Sequence, residues 1–198
     1  MIYPLKEVFI MKVVYIDTET TGLNPKMLFH EIIEIALIVE INGKRKFNFH
    51  TRIKPMHISR ASEKALEINH YDEESWVTAP TFEKVAHRIQ DIFQDADIVI
   101  GHNVKFDVEF VNEHFISLGM RPIRAKQIDT ITTAFEHLVP IGLTSLKLDE
   151  IRRFLEWEMK DSHTAMKDVE DCYKLWNTTK RMTPWKRFFL YCKRYFNK

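Results

Sequence analysis

The stretch Val13-Val14-Tyr15-Ile16-Asp17-Thr18-Glu19-Thr20-Thr21-Gly22-Leu23 decides how the rest of the chain is read. Its first four residues are apolar and mostly β-branched, the composition of a strand buried on both faces. Such strands rarely finish in acid, yet this one closes on Asp17 and Glu19. Residues two apart on a strand share a face. The two carboxylates therefore stand side by side at the strand's carboxyl end, where open α/β sheets bind their ligands. Paired like charges beside a buried strand are costly unless a cation sits between them. Gly22 is expected to let the chain turn sharply just beyond them. Taken alone, the stretch also fits a strand that ends in a solvated acidic turn.

Outward from this strand, residues 32–41 read as a second strand, Asn42-Gly43 as a tight hairpin turn and residues 46–53 as a third strand, completing an antiparallel meander. Residues 57–80 are polar and mixed, with short helical pieces. Pro80-Thr81 opens a helix that carries Phe82, Val85, Ile89, Ile92 and Phe93 at helical spacing. Residues 97–101 read as another buried strand, ending abruptly in His102-Asn103. A helix with Phe106, Phe110, Val111 and Leu118 follows and stops at Gly119. A short strand near 123–128 leads to a helix capped by Asp129 and running to Pro140. Thr144 is expected to cap the next helix, with Leu146, Leu148, Ile151 and Leu155 inward. The last helix of the body starts near 162–164 and carries Ala165, Val169 and Cys172. A meander followed by alternating strands and helices predicts a mixed sheet flanked by helices.

The 198 residues, 45% of them hydrophobic, suffice for one domain with a proper core. The net charge of +1 hides a division. Residues 172–198 hold eight Lys or Arg and no acid, which leaves 21 basic against 28 acidic side chains in the body. Cys172 and Cys192 form neither a disulfide framework nor a zinc-ligand pattern, so a reducing, cytoplasmic setting is expected. The apolar run at 32–41 is broken by Glu34 and Glu40, and no transmembrane segment is expected. Residues 1–11 read as a lead-in, with Met11 an alternative start.

At the other end, Thr183-Pro184 is a helix start. Trp185, Phe188, Phe189, Cys192, Tyr195 and Phe196 fall within one arc about 120° wide, with Lys186, Arg187, Lys193, Arg194 and Lys198 on the other side. The expectation is a basic amphipathic helix over 184–196. Its aromatic face needs a cover: the body's own surface, a partner protein or nucleic acid, or a membrane surface.

Three further residues share the chemistry of the opening stretch. Asp107 lies in the first turns of the helix after residues 97–101, and Asp168 near the start of the last body helix. His163 precedes Asp168 by five, which on one helix would set them about 140° apart. Shared duty therefore places His163 in the preceding loop, with Ser162 and Thr164 as plausible caps.

Asp17-Thr18-Glu19-Thr20-Thr21-Gly22-Leu23, His102-Asn103 with Phe106-Asp107, and His163-Thr164-Ala165 with Asp168 closely resemble the three motifs of the DEDDh 3′→5′ exonucleases. The resemblance is to the proofreading (epsilon) subunits of bacterial replicative DNA polymerases and their stand-alone or phage-borne relatives. It covers residues 12–180 and leaves out the tail, 181–198. Order, spacing and chemical type match in three separate motifs, which makes the resemblance specific.

The resemblance implies a ribonuclease H-like α/β fold, a five-stranded mixed sheet flanked by helices. It implies a metal-dependent enzyme releasing nucleoside monophosphates from free 3′ ends, single-stranded DNA preferred, with a DNA polymerase or another replication protein as partner. Asp17, Glu19, Asp107 and Asp168 would gather up to four negative charges, a conflict that two divalent cations remove. All-oxygen ligation favours Mg²⁺ or Mn²⁺ over zinc. By resemblance, Asp17 bridges both ions, Glu19 and Asp168 hold the one beside the attacking water, Asp107 serves the other directly or through water, and His163 takes the water's proton. Leu23 wedges against terminal bases, Phe106 packs at the terminal sugar or base, and backbone groups of Thr20, Thr21 and Gly22 hold the 3′ hydroxyl. His102 and Asn103 either contact substrate or fix the turn that presents Asp107. Exoribonucleases share these motifs, and contacts to the 2′-OH separate the two substrates. A non-catalytic binding module would be expected to have lost ligands, and all five positions are intact. Glu34 reads as a structural acid; His30, His50, His57, His70, His87, His114 and His137 show no ligand spacing.

Overall fold

The computed structural model describes residues 10–159 and 164–183. His163 and the helix expected over 184–196 lie outside the described residues. Five strands, β1 (Lys12–Thr20), β2 (Ile32–Ile41), β3 (Lys44–Arg52), β4 (Ile98–Gly101) and β5 (Lys126–Asp129), form one sheet in the order β3-β2-β1-β4-β5. The first three pair antiparallel as a meander, and β4 joins β1 and β5 in parallel. The sheet is mixed, as expected. The helices are α1 (Glu63–Ile68), α2 (Glu73–Trp76), α3 (Phe82–Phe93), α4 (Val104–Ser117), α5 (Thr130–Leu138), α6 (Leu148–Phe154) and α7 (Ala165–Thr179). Among the described residues, none is long and apolar enough to cross a membrane.

Local chemistry accounts for most boundaries. Asn42 and Gly43 both take positive φ, 51° and 75°, as a two-residue hairpin between right-twisted strands requires. Pairing resumes at once with Ile41 opposite Lys44, so β3 starts two residues earlier than its apolar pattern suggested. At the end of α4, Gly119 has φ 68°, its N–H donates to the carbonyl of Ile116, and the Met120 N–H donates to that of Phe115. These paired bonds satisfy the helix's last carbonyls. Asp129 caps α5 as expected, accepting from the Ile131 N–H at 2.8 Å, and Thr164 caps α7 by accepting from the Lys167 N–H.

One expectation needs correction. Thr144 caps no helix: α6 begins at Leu148 behind Lys147, without a side-chain cap. The intervening segment stays irregular, and the Leu146 carbonyl bonds His102 Nε2 at 2.8 Å rather than a helical N–H. The chain bends over residues 21–23 as expected, without a positive φ at Gly22. The missing side chain of Gly22 makes room there, since a Cβ would lie 2.5 Å from the His30 ring.

Strand alternation sorts the core. Val14 and Ile16 of β1, with Ile35, Leu37 and Val39 of β2, pack against α3 and α4 through Ile89, Val108, Phe110 and Val111. Val13 and Tyr15, with Ala36, Ile38 and Ile100, face Ala165 and Val169 of α7. Helices α5, α6 and α7 share a third cluster that includes Ala134, Leu138, Ile151 and Leu175. The β1–β2 register slips between Glu19 and Thr20: Glu19 pairs with Glu34, but Thr20 with Ile32. Ile33 is thus an extra residue in β2, and its carbonyl accepts from the Ile53 N–H and from Trp76 Nε1. Bulges of this kind re-aim strand ends beside functional sites.

Candidate active site

The alternation that puts Val13 and Tyr15 on the α7 face continues to Asp17 and Glu19. Helix α7 begins at Ala165, so Asp168 falls in its first turn, against the same face. The result is a compact acidic group: Asp17, Glu19 and Asp168 each offer a carboxylate oxygen, all within 4.8 Å of one another. Asp107 reaches the site from the other side. It is buried on α4, and the hydroxyl of Thr18, which points opposite to its two acidic neighbours, donates to Asp107 Oδ1 at 2.7 Å. The four acids singled out from the sequence therefore converge on the end of β1 from both faces of the sheet, three in one group and the fourth oriented through Thr18.

This closeness is unfavourable for the charged forms. Burial, then the neighbouring charges of Asp168, Asp107 and Glu19, push the Asp17 carboxyl well above the usual carboxylate range. Burial and Asp168 push Glu19 up to about 8. Burial raises Asp107 to about 7 despite the hydrogen bond from Thr18. An oxygen-only donor set of this spacing, with its charge poorly compensated, fits a hard divalent cation such as Mg²⁺ or Mn²⁺.

Other expected site residues serve the frame of this site. Thr20 Oγ1 donates to the Gly22 carbonyl at 2.7 Å, and Thr21 Oγ1 accepts from the Glu31 N–H at 2.8 Å. The backbone of Thr21 bonds Glu31 and Ser62, and the Thr20 carbonyl takes Asn69 Nδ2. Leu23 is 83% exposed, an apolar side chain held out at the rim. Phe106 is partly buried and packs on Phe110, ring centroids 4.7 Å apart. His102 spends both ring nitrogens inside the protein, Nδ1 on Thr130 Oγ1 at 2.9 Å and Nε2 on the Leu146 carbonyl. Asn103, with φ 69°, donates its N–H to Asp129 Oδ1 at 3.0 Å. Both residues thereby hold the turn from β4 into α4 that presents Asp107.

Sequence reasoning assigned nothing to Arg152, which is 1% exposed and donates to Asp168 Oδ1 at 2.6 Å. A signal was present: position 152 lies four past Leu148 and next to Ile151, on the inward face of α6. A cleft of about 530 Å³ opens beside this pair, lined also by His102, Leu146 and Lys147. Thr18 was equally legible as the residue between two acids on the opposite face of the strand. Among the unassigned histidines, His114 is buried, accepts from the Ile32 N–H at 3.2 Å and stacks on Phe82. Glu34 is buried and bonds His50 Nε2 at 2.7 Å, the structural role expected of it.

Comparison with known proteins agrees with this geometry. The model of a family described as exonuclease matches residues 14–176. The DNA polymerase III subunit epsilon of Buchnera aphidicola subsp. Schizaphis graminum is 35% identical over 113 residues, covering 54% of this chain and 46% of that protein. The PolC-type DNA polymerase III of Pediococcus pentosaceus is 29% identical over 159 residues, covering 80% of this chain and 11% of that one. The chain thus spans less than half the length of these two relatives. Among solved structures, E. coli exonuclease I in complex with a dT13 oligonucleotide superposes with a TM-score of 0.76 at 20% identity, covering 93% of this chain and 44% of that one. This last likeness is one of fold, and the fold is the ribonuclease H-like one expected.

Proposed function

This chain belongs to the exonuclease family, and we propose on that premise that it is a 3′→5′ exonuclease hydrolysing single-stranded DNA from its 3′ end with the help of two divalent cations, Mg²⁺ or Mn²⁺. The observation that carries the reading is the group of Asp17, Glu19 and Asp168 within 4.8 Å at the carboxyl end of the central strand. When bound, the cations neutralise the phosphodiester's developing charge and help ionise the attacking water. Asp17 would lie between the two positions, with Glu19 and Asp168 at one and Asp107, oriented by Thr18, at the other. His163 takes the proton from the water as its oxygen attacks phosphorus. The P–O3′ bond breaks, the departing O3′ takes a proton from solvent to become the shortened strand's new 3′ hydroxyl, and a nucleoside 5′-monophosphate leaves. Leu23 and Phe106 would hold the terminal nucleotide, with Thr20, Thr21 and Gly22 near its 3′ hydroxyl.

The likeness to the epsilon subunit and PolC-type DNA polymerases III supports DNA over RNA, and a DNA polymerase as partner in proofreading. Residues 12–180 would form the exonuclease domain, and a basic helix over 184–196 would extend contact with the strand, in a cytoplasmic setting. The test uses 3′-labelled DNA and RNA oligonucleotides, single- and double-stranded, with Mg²⁺, Mn²⁺ or EDTA. Stepwise release of labelled mononucleotides from single-stranded DNA, abolished by EDTA, is expected. Faster degradation of the RNA strands would move the assignment to an exoribonuclease. Tight binding without cleavage would make the chain a binding module.

A further inference from the structure

Arg152 lies in the last turn of α6, and its guanidinium uses three nitrogens on three carboxylates. Nε donates to Asp171 Oδ2 at 2.7 Å, Nη1 to Asp149 Oδ1 at 2.6 Å, and Nη2 to Asp168 Oδ1 at 2.6 Å. It heads the largest fully buried side chains of the described residues. A buried arginine is usually explained by the acid that needs it. Asp171 does not need it alone, because Lys167 Nζ already bonds both its oxygens, at 2.9 and 2.7 Å. Asp149 is only partly buried and has water within reach. The contact that neither of these explains is the one to Asp168, whose carboxylate faces Asp17 and Glu19.

The geometry points to Arg152 as a positioning residue of the metal site: its fork holds the Asp168 carboxylate towards Asp17 and Glu19, and its charge moderates how tightly that group holds a divalent cation. This inference rests on the proposed metal-dependent reaction. The two effects have opposite signs on removal of the arginine. Loss of the fork removes one contact that orients the Asp168 carboxylate, whereas loss of the charge removes repulsion between a guanidinium and a doubly charged ion one carboxylate away. The charge wins for binding, and the orientation wins for turnover.

The experiment compares wild type, Arg152→Lys, and Arg152→Met combined with Asp171→Leu, which replaces the buried pair by apolar neighbours so that packing is kept. Mn²⁺ affinity is measured by calorimetry on the full chain, folding by thermal unfolding in EDTA, and turnover at saturating Mn²⁺ on a single-stranded oligonucleotide. The double variant should bind Mn²⁺ a few-fold more tightly: the net charge is unchanged, but the guanidinium that is lost bonds Asp168 directly, whereas the Asp171 carboxylate lost with it lies on the guanidinium's Nε side, against Lys167. Its turnover should fall on the order of 10–100-fold, the usual effect of losing a group that orients a metal ligand. Arg152→Lys should return Mn²⁺ affinity to the wild-type value without restoring turnover, because one ammonium cannot span three carboxylates. Unchanged Mn²⁺ affinity in the folded double variant overturns the proposal. Should that variant not fold, Arg152→Lys decides: lowered turnover at wild-type affinity supports it, and wild-type turnover overturns it. A wild-type chain that binds no Mn²⁺ defeats the proposed function itself, a different result from either.

Discussion

Where the sheet meets α3 and α4, a buried ionisable group is kept neutral; where it meets α7, ionisable groups are crowded into a shape that neutrality does not serve. On the first face His114 stacks on Phe82 and accepts the Ile32 N–H. Burial lowers its pKa to about 4, so the neutral ring is part of the folded state. On the second face the protein holds Asp17, Glu19 and Asp168 together although burial and mutual repulsion raise the pKa of Asp17 and Glu19. Apart from Asp107, which joins the acids from α4 through Thr18, the first face is built for stability by its own side chains. The other is complete only with something the chain does not contain, and the two should respond to mutation, metal and pH in opposite ways.

Asp17→Ala draws the sharpest contrast. Turnover should fall by more than the roughly 10²–10³-fold cost of losing one preorganised electrostatic group, while the metal-free protein keeps or gains stability as repulsion is relieved. Turnover within a factor of ten of wild type at saturating Mg²⁺ would break the contrast and the cation assignment together. Ile89, fully buried on α3, should behave in reverse. Its replacement by Ala should cost about 2–5 kcal/mol of unfolding free energy, measured by urea titration, with turnover of the folded protein unchanged.

The next effect is one of pH. Glu19 and Asp107, raised to about 8 and about 7, bind protons more tightly folded than unfolded. The stability they confer is full below the unfolded carboxylate range near pH 4.3 and is lost as pH rises through those folded values. Mg²⁺ binds the deprotonated carboxylates, so the difference in Tm between Mg²⁺ and EDTA should grow steadily from pH 5 to pH 8. A difference independent of pH would mean that these carboxylates are not the ligands.

The smallest effect belongs to His114, whose folded pKa is depressed. Its contribution is present above the unfolded value near 6.5 and is lost as pH falls towards about 4. His114→Leu leaves the Ile32 N–H without its acceptor and should cost about 1–3 kcal/mol at pH 7.5. Denaturant titrations should show that cost shrinking as pH falls from 6.5 to 4. A cost that stays constant would show that the ring contributes by packing alone.

Much of this was legible in residue order. Apolar runs marked β1, β2 and β4, because a strand buried on both faces has no other composition, whereas β3 and β5 are largely exposed and their starts fall two and three residues away from the apolar pattern. Asn42-Gly43, Gly119 and Asp129 marked their turns and caps because each conformation admits few residue types. Asp17, Glu19, Asp107 and Asp168 stood out because acids at the ends of buried elements are costly without a purpose. Tertiary structure alone decided which acids share a face, since that depends on how α4 and α7 dock on β1: Asp168 joins Asp17 and Glu19, and Asp107 arrives through Thr18. It also decided that Gly22, within the expected bend, makes room for His30, because the clash would be with a ring eight residues away. And it decided that Arg152 touches Asp168, since a charge on a helix's inward face is explained only by what the neighbouring helix brings to meet it.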